Sequence, residues 1–560
     1  MKDIAYKHAL KNALDFGEAE VNAVLRKVIM ECPELKKDIS FLLPKIQEVV
    51  SEVNSLSKNA VKVEITRYNF QSKKKSRKGK FQDLPNPSNP VLRFAPNPSG
   101  PLHLGHCRAA ILNDEYAKKY DGKLILRIED TDPTRVDPKA YALIEKGLKW
   151  LEIKYHKVVV QSTRLDLYYK YAEDLLKINA AYVCTCKQSN FKKLRDSRKY
   201  CNCRQKSSEE NQKDFNKMFT SYNPGEAVVR LKTDINLSDP AMREFVILRI
   251  STEIHPKLKN KRVYPLYNFA VVIDDHLLEI THVLRGKDHL INTKKQEFIY
   301  QYFSWDKPEF VHYGMLKIQG LELSTSKIAK GIKEGKFKGW DDPILGTLPA
   351  LERKGINPKA IRKAMLDIGI NNKDINFNWK NLFAYNREII EKNANRYFFV
   401  ENPRKIRIYP VDLIKKKYYA LLHPDFPKKG NRTLEFGIDK DFATAYISEL
   451  DFSKIEPKKM IRLMGAFNVE IIKKIKDSMT VKIINDDLNY ARKKKIPLIH
   501  WVGKKHVNVE VRKNNGATEI GYGEIGLKKV DINSLIQFER YGFVKIDNKD
   551  ATLITYFVHK

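Results

Sequence analysis

Residues 91–106 read VLRFAPNPSGPLHLGH. Val91 to Ala95 is an apolar, strand-forming run, and Pro96, Pro98, Gly100 and Pro101 forbid its continuation, so the chain turns sharply there. From Gly105 the sequence GHCRAAILNDEYAKKYDG is helix-forming, with Lys118 and Lys119 in the last turn and Gly122 placed as a C-cap. Lys123-Leu-Ile-Leu-Arg-Ile then reads as a second strand. The unit is therefore a parallel strand-helix-strand, whose helix N-terminus is expected to aim free N–H groups at the turn and hold an anion. His103 and His106 stand one helical turn apart at that mouth and add donors suited to charge developing on a phosphate. The competing reading is a Pro-rich loop carrying two surface histidines.

Working outward, RFAPNPSGPLHLGH followed by LRIEDTDPTR resembles the class I aminoacyl-tRNA synthetases of the glutamyl and glutaminyl subgroup. The resemblance implies a second signature about two hundred residues on, and LELSTSK, Leu321 to Lys327, is similar to it. Ser324 stands where the family usually carries a first lysine, while Ser326 and Lys327 match. By the same resemblance Pro96, Asn97, Gly105, Ser326 and Lys327 are implied in ATP binding, and His103, His106 and Lys327 in catalysis. The implied chemistry needs no nucleophile or general base. A carboxylate attacks the α-phosphate in line, so positioning and charge stabilisation carry the reaction, with Mg²⁺ on the phosphates.

The resemblance further matches Arg93, Ser99, Glu129, Tyr267 in YPLYNF and Arg285 in ITHVLRGKDHL to positions that face the amino acid. Two guanidinium groups suit a dicarboxylate, because each can hold a carboxylate bidentately. The glutaminyl branch carries a small uncharged residue at the position matching Arg285, since a buried arginine facing a neutral amide lacks a counter-charge. Glu129 suits the substrate ammonium. The competing readings are a structural ion pair of Arg285 with Asp274, Asp275 or Asp288, and helix capping by Asp130 and Asp132. Val271 stands where bacterial glutamyl enzymes carry asparagine, which directs the resemblance to the archaeal and eukaryotic branch. The implied activity is ATP-dependent formation of glutamyl-adenylate and its transfer to the 3′ terminal adenosine of glutamate tRNA, with glutamine tRNA a further acceptor. A glutaminyl enzyme and a non-catalytic tRNA-binding relative are the alternatives.

Composition bounds these expectations. The chain has 560 residues and a mass of 65.1 kDa, too long for one core. Lys and Arg number 103 against 68 Asp and Glu, and the resulting net charge of +35 suits a polyanion such as tRNA. Heat adaptation or nucleotide bias also enriches lysine. Neither an apolar run of membrane length nor a signal peptide is visible, so a soluble, cytoplasmic protein without a membrane partner is expected. Cys184, Cys186, Cys201 and Cys203 form two CxC pairs that read as a tetrahedral thiolate site for structural Zn²⁺. A disulfide, disfavoured in a reducing cytoplasm, and an empty degenerate site are the other readings.

The expected fold is multidomain α/β. A helical N-terminal extension, 1–87, ends in the basic stretch 72–80, read as a linker or tRNA-facing arm. A Rossmann-type catalytic domain covers 88–330 and is interrupted at 184–260 by an acceptor-end insertion carrying the cysteines. In the resembling family a zinc knuckle occurs in that region. A helical connector, 331–396, leads to an antiparallel β-barrel anticodon-binding region, 397–560, whose short β-rich runs favour barrels over helices.

Overall fold

The computed structural model describes residues 2–68, 82–258 and 260–560, so the basic stretch 72–80 lies outside the described residues. Contacts divide the chain into two compact units, Met1–Lys78 and Gly79–Lys560. In the first, α1 (Lys2–Phe16), α2 (Val21–Glu31), α3 (Ile39–Asn54) and α4 (Lys58–Glu64) pack around Ala9, Leu10, Val24, Val28, Ile46 and Val53. These residues recur at helical spacing, which gives each long helix one apolar stripe. Asn54 ties the α1–α2 turn to α3 by exchanging hydrogen bonds with the Ala19 backbone, at 2.7 and 3.0 Å.

The second unit opens on β1 (Val91–Phe94), α5 (Leu104–Lys119) and β2 (Lys123–Ile128), with β1 and β2 parallel from Val91 opposite Lys123 to Phe94 opposite Leu126. After the exposed Lys123, every residue of β2 is buried, the mark of a parallel strand covered on both faces. The chain continues through α6 (Ala140–Trp150) to β3 (Lys157–Val160), parallel to β2 on its other side. Gly122 does not supply the left-handed cap expected of it: Asp121 does, at φ 50°. Gly122 is required for another reason, because a Cβ there would lie 2.2 Å from the Pro90 carbonyl oxygen.

After α7 (Leu165–Lys177) the chain leaves this sheet and builds a four-stranded antiparallel one: β4 (Ala181–Cys184), β5 (Val228–Leu231), β6 (Val246–Ile250) and β7 (Val263–Pro265), in that order. Helices α8 (Gln188–Asp196) and α9 (Ser208–Thr220) lie between β4 and β5. The chain returns through α10 (Tyr267–Leu277) to β8 (His282–Gly286), α11 (Leu290–Phe303) and β9 (Glu309–Tyr313), with β8 and β9 parallel. The Thr281 N–H donates to the Val91 carbonyl, which sets β8 beside the free edge of β1. The spatial order β9-β8-β1-β2-β3 reverses direction between β1 and β8, where doubly wound sheets bind ligands.

Helices α12 (Thr325–Lys333), α13 (Leu348–Lys354), α14 (Pro358–Ile368) and α15 (Trp379–Ile390) lead to two barrels. One sheet runs from strand Asn395–Tyr397 at one end of its order to Phe399–Glu401 at the other. These are halves of a single segment bent at Phe398, so the sheet closes on itself. The other closes the same way: Leu498–Ile499 pairs with Met460–Leu463, while Val502–Gly503 pairs with Ala443–Ile447, and fully buried Trp501 sits at the bend. The sheets are mixed rather than purely antiparallel as expected, with two parallel pairings in each, and closure removes the exposed edges that such short strands would otherwise leave.

Candidate active site

At the start of α5 the two imidazoles face each other with ring centroids 3.7 Å apart. His103 is the N-cap: its Nδ1 accepts from the Gly105 amide at 3.0 Å, while His106 Nδ1 accepts from the His103 amide at 3.2 Å. Gly105 must be glycine, since a Cβ there would sit 2.8 Å from the His103 ring. The expectation of free amides at this helix start is corrected. Leu104 N–H donates to the Gly346 carbonyl, Gly105 N–H to His103 Nδ1, and His106 N–H to the His103 carbonyl. With each Nδ1 an acceptor, each neutral ring carries its proton on Nε2, so the imidazoles present the donors that the backbone does not. Burial pushes His103 down to about 4 and His106 to about 3, so both rings are neutral near pH 7.

The two signatures meet. Ser99 Oγ lies 3.2 Å from Thr325 Oγ1, so its hydroxyl is engaged with the second loop. A Cβ on Gly100 would touch Trp340 at 2.9 Å and Thr325 at 3.2 Å. Ser324 caps α12, accepting from the Lys327 amide at 3.5 Å, and its hydroxyl is 3.1 Å from that of Ser326. Ser326 and Lys327 are exposed, on the first turn of that helix. Residues 345–348 lace both signatures together: Gly346 N–H donates to Glu322 O, Gly346 O accepts from Leu104, and Leu348 N–H donates to Leu102 O. On the opposite side, Pro96 O accepts from the Glu129 amide at 3.0 Å, and Asn97 Nδ2 donates to the Glu129 carbonyl at 2.9 Å.

Behind β1 and β8 lies a buried cluster of three arginines and two carboxylates. Arg127 donates to Asp275 Oδ1 at 2.5 Å and to Glu129 Oε1 at 2.9 Å. Burial opposes its charge, but Asp275 and Glu129 hold it well above its ordinary value. Arg93 Nε is 3.4 Å from the same Asp275 oxygen and has no hydrogen-bond partner. Arg285 differs from both. Its Nη2 donates to Thr293 Oγ1 at 2.6 Å and Gln296 Oε1 at 2.8 Å, while Nε and Nη1 are buried without partners. Among the described residues it pairs with no carboxylate. Asp274 is occupied by Gln161, Arg164 and Tyr168, Asp275 meets Arg93 and Arg127 through Oδ1 alone, and Asp288 lies beside His289, so none of the three forms an ion pair with Arg285.

Tyr267, at the N-terminus of α10, feels Glu129, Arg285, Arg93 and Arg127, and its hydroxyl is 3.3 Å from His289 Nδ1. Burial first, then Glu129, raises its pKa, so it stays a neutral phenol. Burial raises the Glu129 carboxyl, and burial lowers the Arg285 guanidinium. Of the two capping candidates, Asp132 does cap, accepting from the Thr134 amide, whereas Asp130 is buried under Tyr141 and Ser162. Arg127, Thr293 and Gln296 escaped the sequence reading, which weighed Asp275 only as a partner for Arg285. Arg127 carried a signal all the same: a charge inside the apolar run KLILRI must have a buried partner.

The four cysteines of the insertion gather with all their Sγ atoms within 4.8 Å of one another. Cys184 and Cys201 are 4.0 Å apart and Cys186 and Cys203 3.8 Å, too far for disulfides. Four thiolates around one zinc at about 2.3 Å place their sulfurs about 3.8 Å apart, so this donor set fits the ion.

Residues 91–392 match the family described as tRNA synthetases class I (E and Q), catalytic domain, and residues 394–519 match the anticodon-binding domain of the same family. The chain belongs to the class I tRNA synthetases of the E and Q subgroup. Full-length relatives agree with that membership. A glutamate-tRNA ligase of Methanocaldococcus jannaschii is 46% identical over 546 residues, 97% of each chain. One of Methanobrevibacter smithii is 43% identical over 567 residues, and one of Methanococcus maripaludis 44%, each covering 100% of both chains. In this synthetase the anticodon-binding match begins where the closed sheets begin, at strand Asn395–Tyr397.

Proposed function

We propose that this synthetase is a glutamate-tRNA ligase of the archaeal type. One observation carries the choice of amino acid: Arg285 is a buried guanidinium with two nitrogens that lack hydrogen-bond partners and no carboxylate paired with it among the described residues. A buried cation in that state is costly until an anion arrives, and the side-chain carboxylate of glutamate supplies one. Glutamine offers a neutral amide and leaves the charge unanswered. Arg93 stands ready for a second carboxylate, Glu129 and Tyr267 for the ammonium end.

Glutamate's α-carboxylate then attacks the α-phosphorus of ATP, pyrophosphate leaves, and a mixed anhydride forms. ATP enters as its magnesium complex, the metal offsetting phosphate charge. His103 and His106 donate from Nε2 to phosphate oxygens as fixed neutral dipoles, and Lys327 brings the positive charge that follows the departing pyrophosphate. Pro96, Asn97, Gly105 and Ser326 shape the same turn and loop. The terminal adenosine hydroxyl of tRNA next attacks the anhydride and AMP leaves. Cys184, Cys186, Cys201 and Cys203 hold a structural zinc, with no coordination position open for catalysis. No helix among the described residues is long and apolar enough to cross a membrane.

The test is aminoacylation of separate glutamate and glutamine tRNA transcripts, with labelled glutamate and labelled glutamine side by side. Glutamate joined to glutamate tRNA is the expected outcome. Charging with glutamine would overturn the argument from Arg285, and no charging at all would favour a tRNA-binding relative without activity.

A further inference from the structure

Arg285 is anchored by neutral acceptors, and these belong to a chain of hydrogen bonds that runs one way. Gln296 Oε1 accepts from Arg285, and its amide donates to Asn268 Oδ1 at 3.1 Å. Asn268 donates in turn to Asn292 Oδ1 at 3.1 Å, and Asn292 to His289 Nδ1 at 3.2 Å. Each amide is oriented by its neighbour, so Gln296 must present oxygen to the guanidinium. Thr293 accepts from the same Nη2, and its hydroxyl lies 2.9 Å from His312 Nε2. Gln296 is 0% and Thr293 8% exposed, so water cannot replace either contact.

We propose that Gln296, seconded by Thr293, is a specificity-positioning residue of this synthetase. It fixes the Arg285 guanidinium with dipoles alone, so that the positive charge remains whole for the substrate. A carboxylate at position 296 would bind Arg285 more tightly and cancel the charge that distinguishes glutamate from glutamine. This rests on the reading of Arg285 as the glutamate side-chain anchor. Nothing in the sequence around EFIY marks Gln296 for the role, because it depends on where the α11 face meets β8.

The experiment is aminoacylation kinetics of Gln296→Glu, Gln296→Met and Arg285→Ala in the full chain, with KM for glutamate and for ATP measured separately. A second anion on the same guanidinium should raise KM for glutamate on the order of a hundredfold in Gln296→Glu. Gln296→Met removes one anchor but keeps the charge, and should raise it roughly tenfold. KM for ATP should stay within about twofold in both, while the preference for glutamate over glutamine narrows most in Gln296→Glu. A Gln296→Glu enzyme whose KM for glutamate stays within about threefold of the parent, or whose two KM values rise together, overturns the proposal. If Gln296→Glu does not fold, Thr293→Val decides, with Thr293→Ser expected to restore KM and its failure to do so counting against the role. Arg285→Ala separates the two claims. An unchanged KM for glutamate there sinks the anchor itself, whereas a raised KM beside a silent Gln296→Glu sinks only the positioning role.

Discussion

His103 and His106 each use Nδ1 to accept a backbone amide, and the consequence reaches their chemistry. The HxxH spacing made them legible as phosphate donors, but not as neutral ones, since protonation depends on burial and on which nitrogen the backbone occupies. Folding holds the rings neutral down to about 4 and 3, whereas an unfolded chain protonates histidine near 6.5. The native state therefore binds fewer protons in that window. Their contribution to stability is complete above about pH 6.5 and is lost as the pH falls toward 4. Turnover should accordingly show no titration of either imidazole between pH 6 and 8, and thermal midpoints should drop on acidification from 6.5 to 5. The check is a pH–kcat profile of the parent and of His103→Asn. An inflection near 6.5 that vanishes in the variant would mean that a charged imidazole does the work.

At the scale of elements, what could be read was local and what could not was remote. The β1-α5-β2 unit was legible because apolar runs, prolines and Gly122 punctuate it within forty residues. The occupied amides of α5 were not, because Gly346 comes from a segment some 240 residues further on. Arg285 was legible as a candidate, but its freedom from ion pairs required seeing Asp274, Asp275 and Asp288 each turned to other partners. The cysteine insertion lies between these cases. Spacing suggested a site, and folding brings all four sulfurs within 4.8 Å of one another. Apart from Tyr182 and Phe191, few large side chains support α8 and the 199–206 loop, while the β4–β7 sheet has its own core with Tyr168, Phe215 and Phe269. A bound metal should therefore staple the loop rather than the sheet. Metal analysis should find about one zinc per chain, and a strong chelator or Cys201→Ser should speed hydrogen exchange across 185–206 while leaving β5 and β6 protected. Protein that is metal-free yet equally protected would leave the cysteines without a structural role.

At the scale of the molecule, two arrangements emerge that no local pattern announces. The barrels close through bends at Phe398 and Trp501, pairings between strands from 36 to 141 residues apart and so invisible to periodicity. Arg353 on α13 grips Asp547 of the barrel sheet at 2.9 and 3.0 Å, five residues beyond the 346–348 segment that binds the HLGH turn. Charge is distributed as unevenly as contacts. Residues 1–68 hold eleven basic and ten acidic side chains, whereas 73–80 hold six basic and none acidic, and most of the +35 lies further on. Polyanion affinity follows released counterions, about 0.7–0.9 of a unit in log Kd against log salt per phosphate contacted. A nearly neutral helical unit should add little to that slope, and the basic stretch a measurable part. Removing residues 1–68 should leave the slope for tRNA within about one unit of the parent, since the four helices form a core of their own. Replacing the six basic residues of 73–80 by serine and glutamine should lower it by roughly one to four units. A steep loss on deletion alone would place the helical unit on RNA despite its balance, and an unchanged slope after the replacements would make 73–80 a tether between the two units. Filter binding between 50 and 300 mM salt, over which the Debye length falls by a factor of about two, gives the slopes directly.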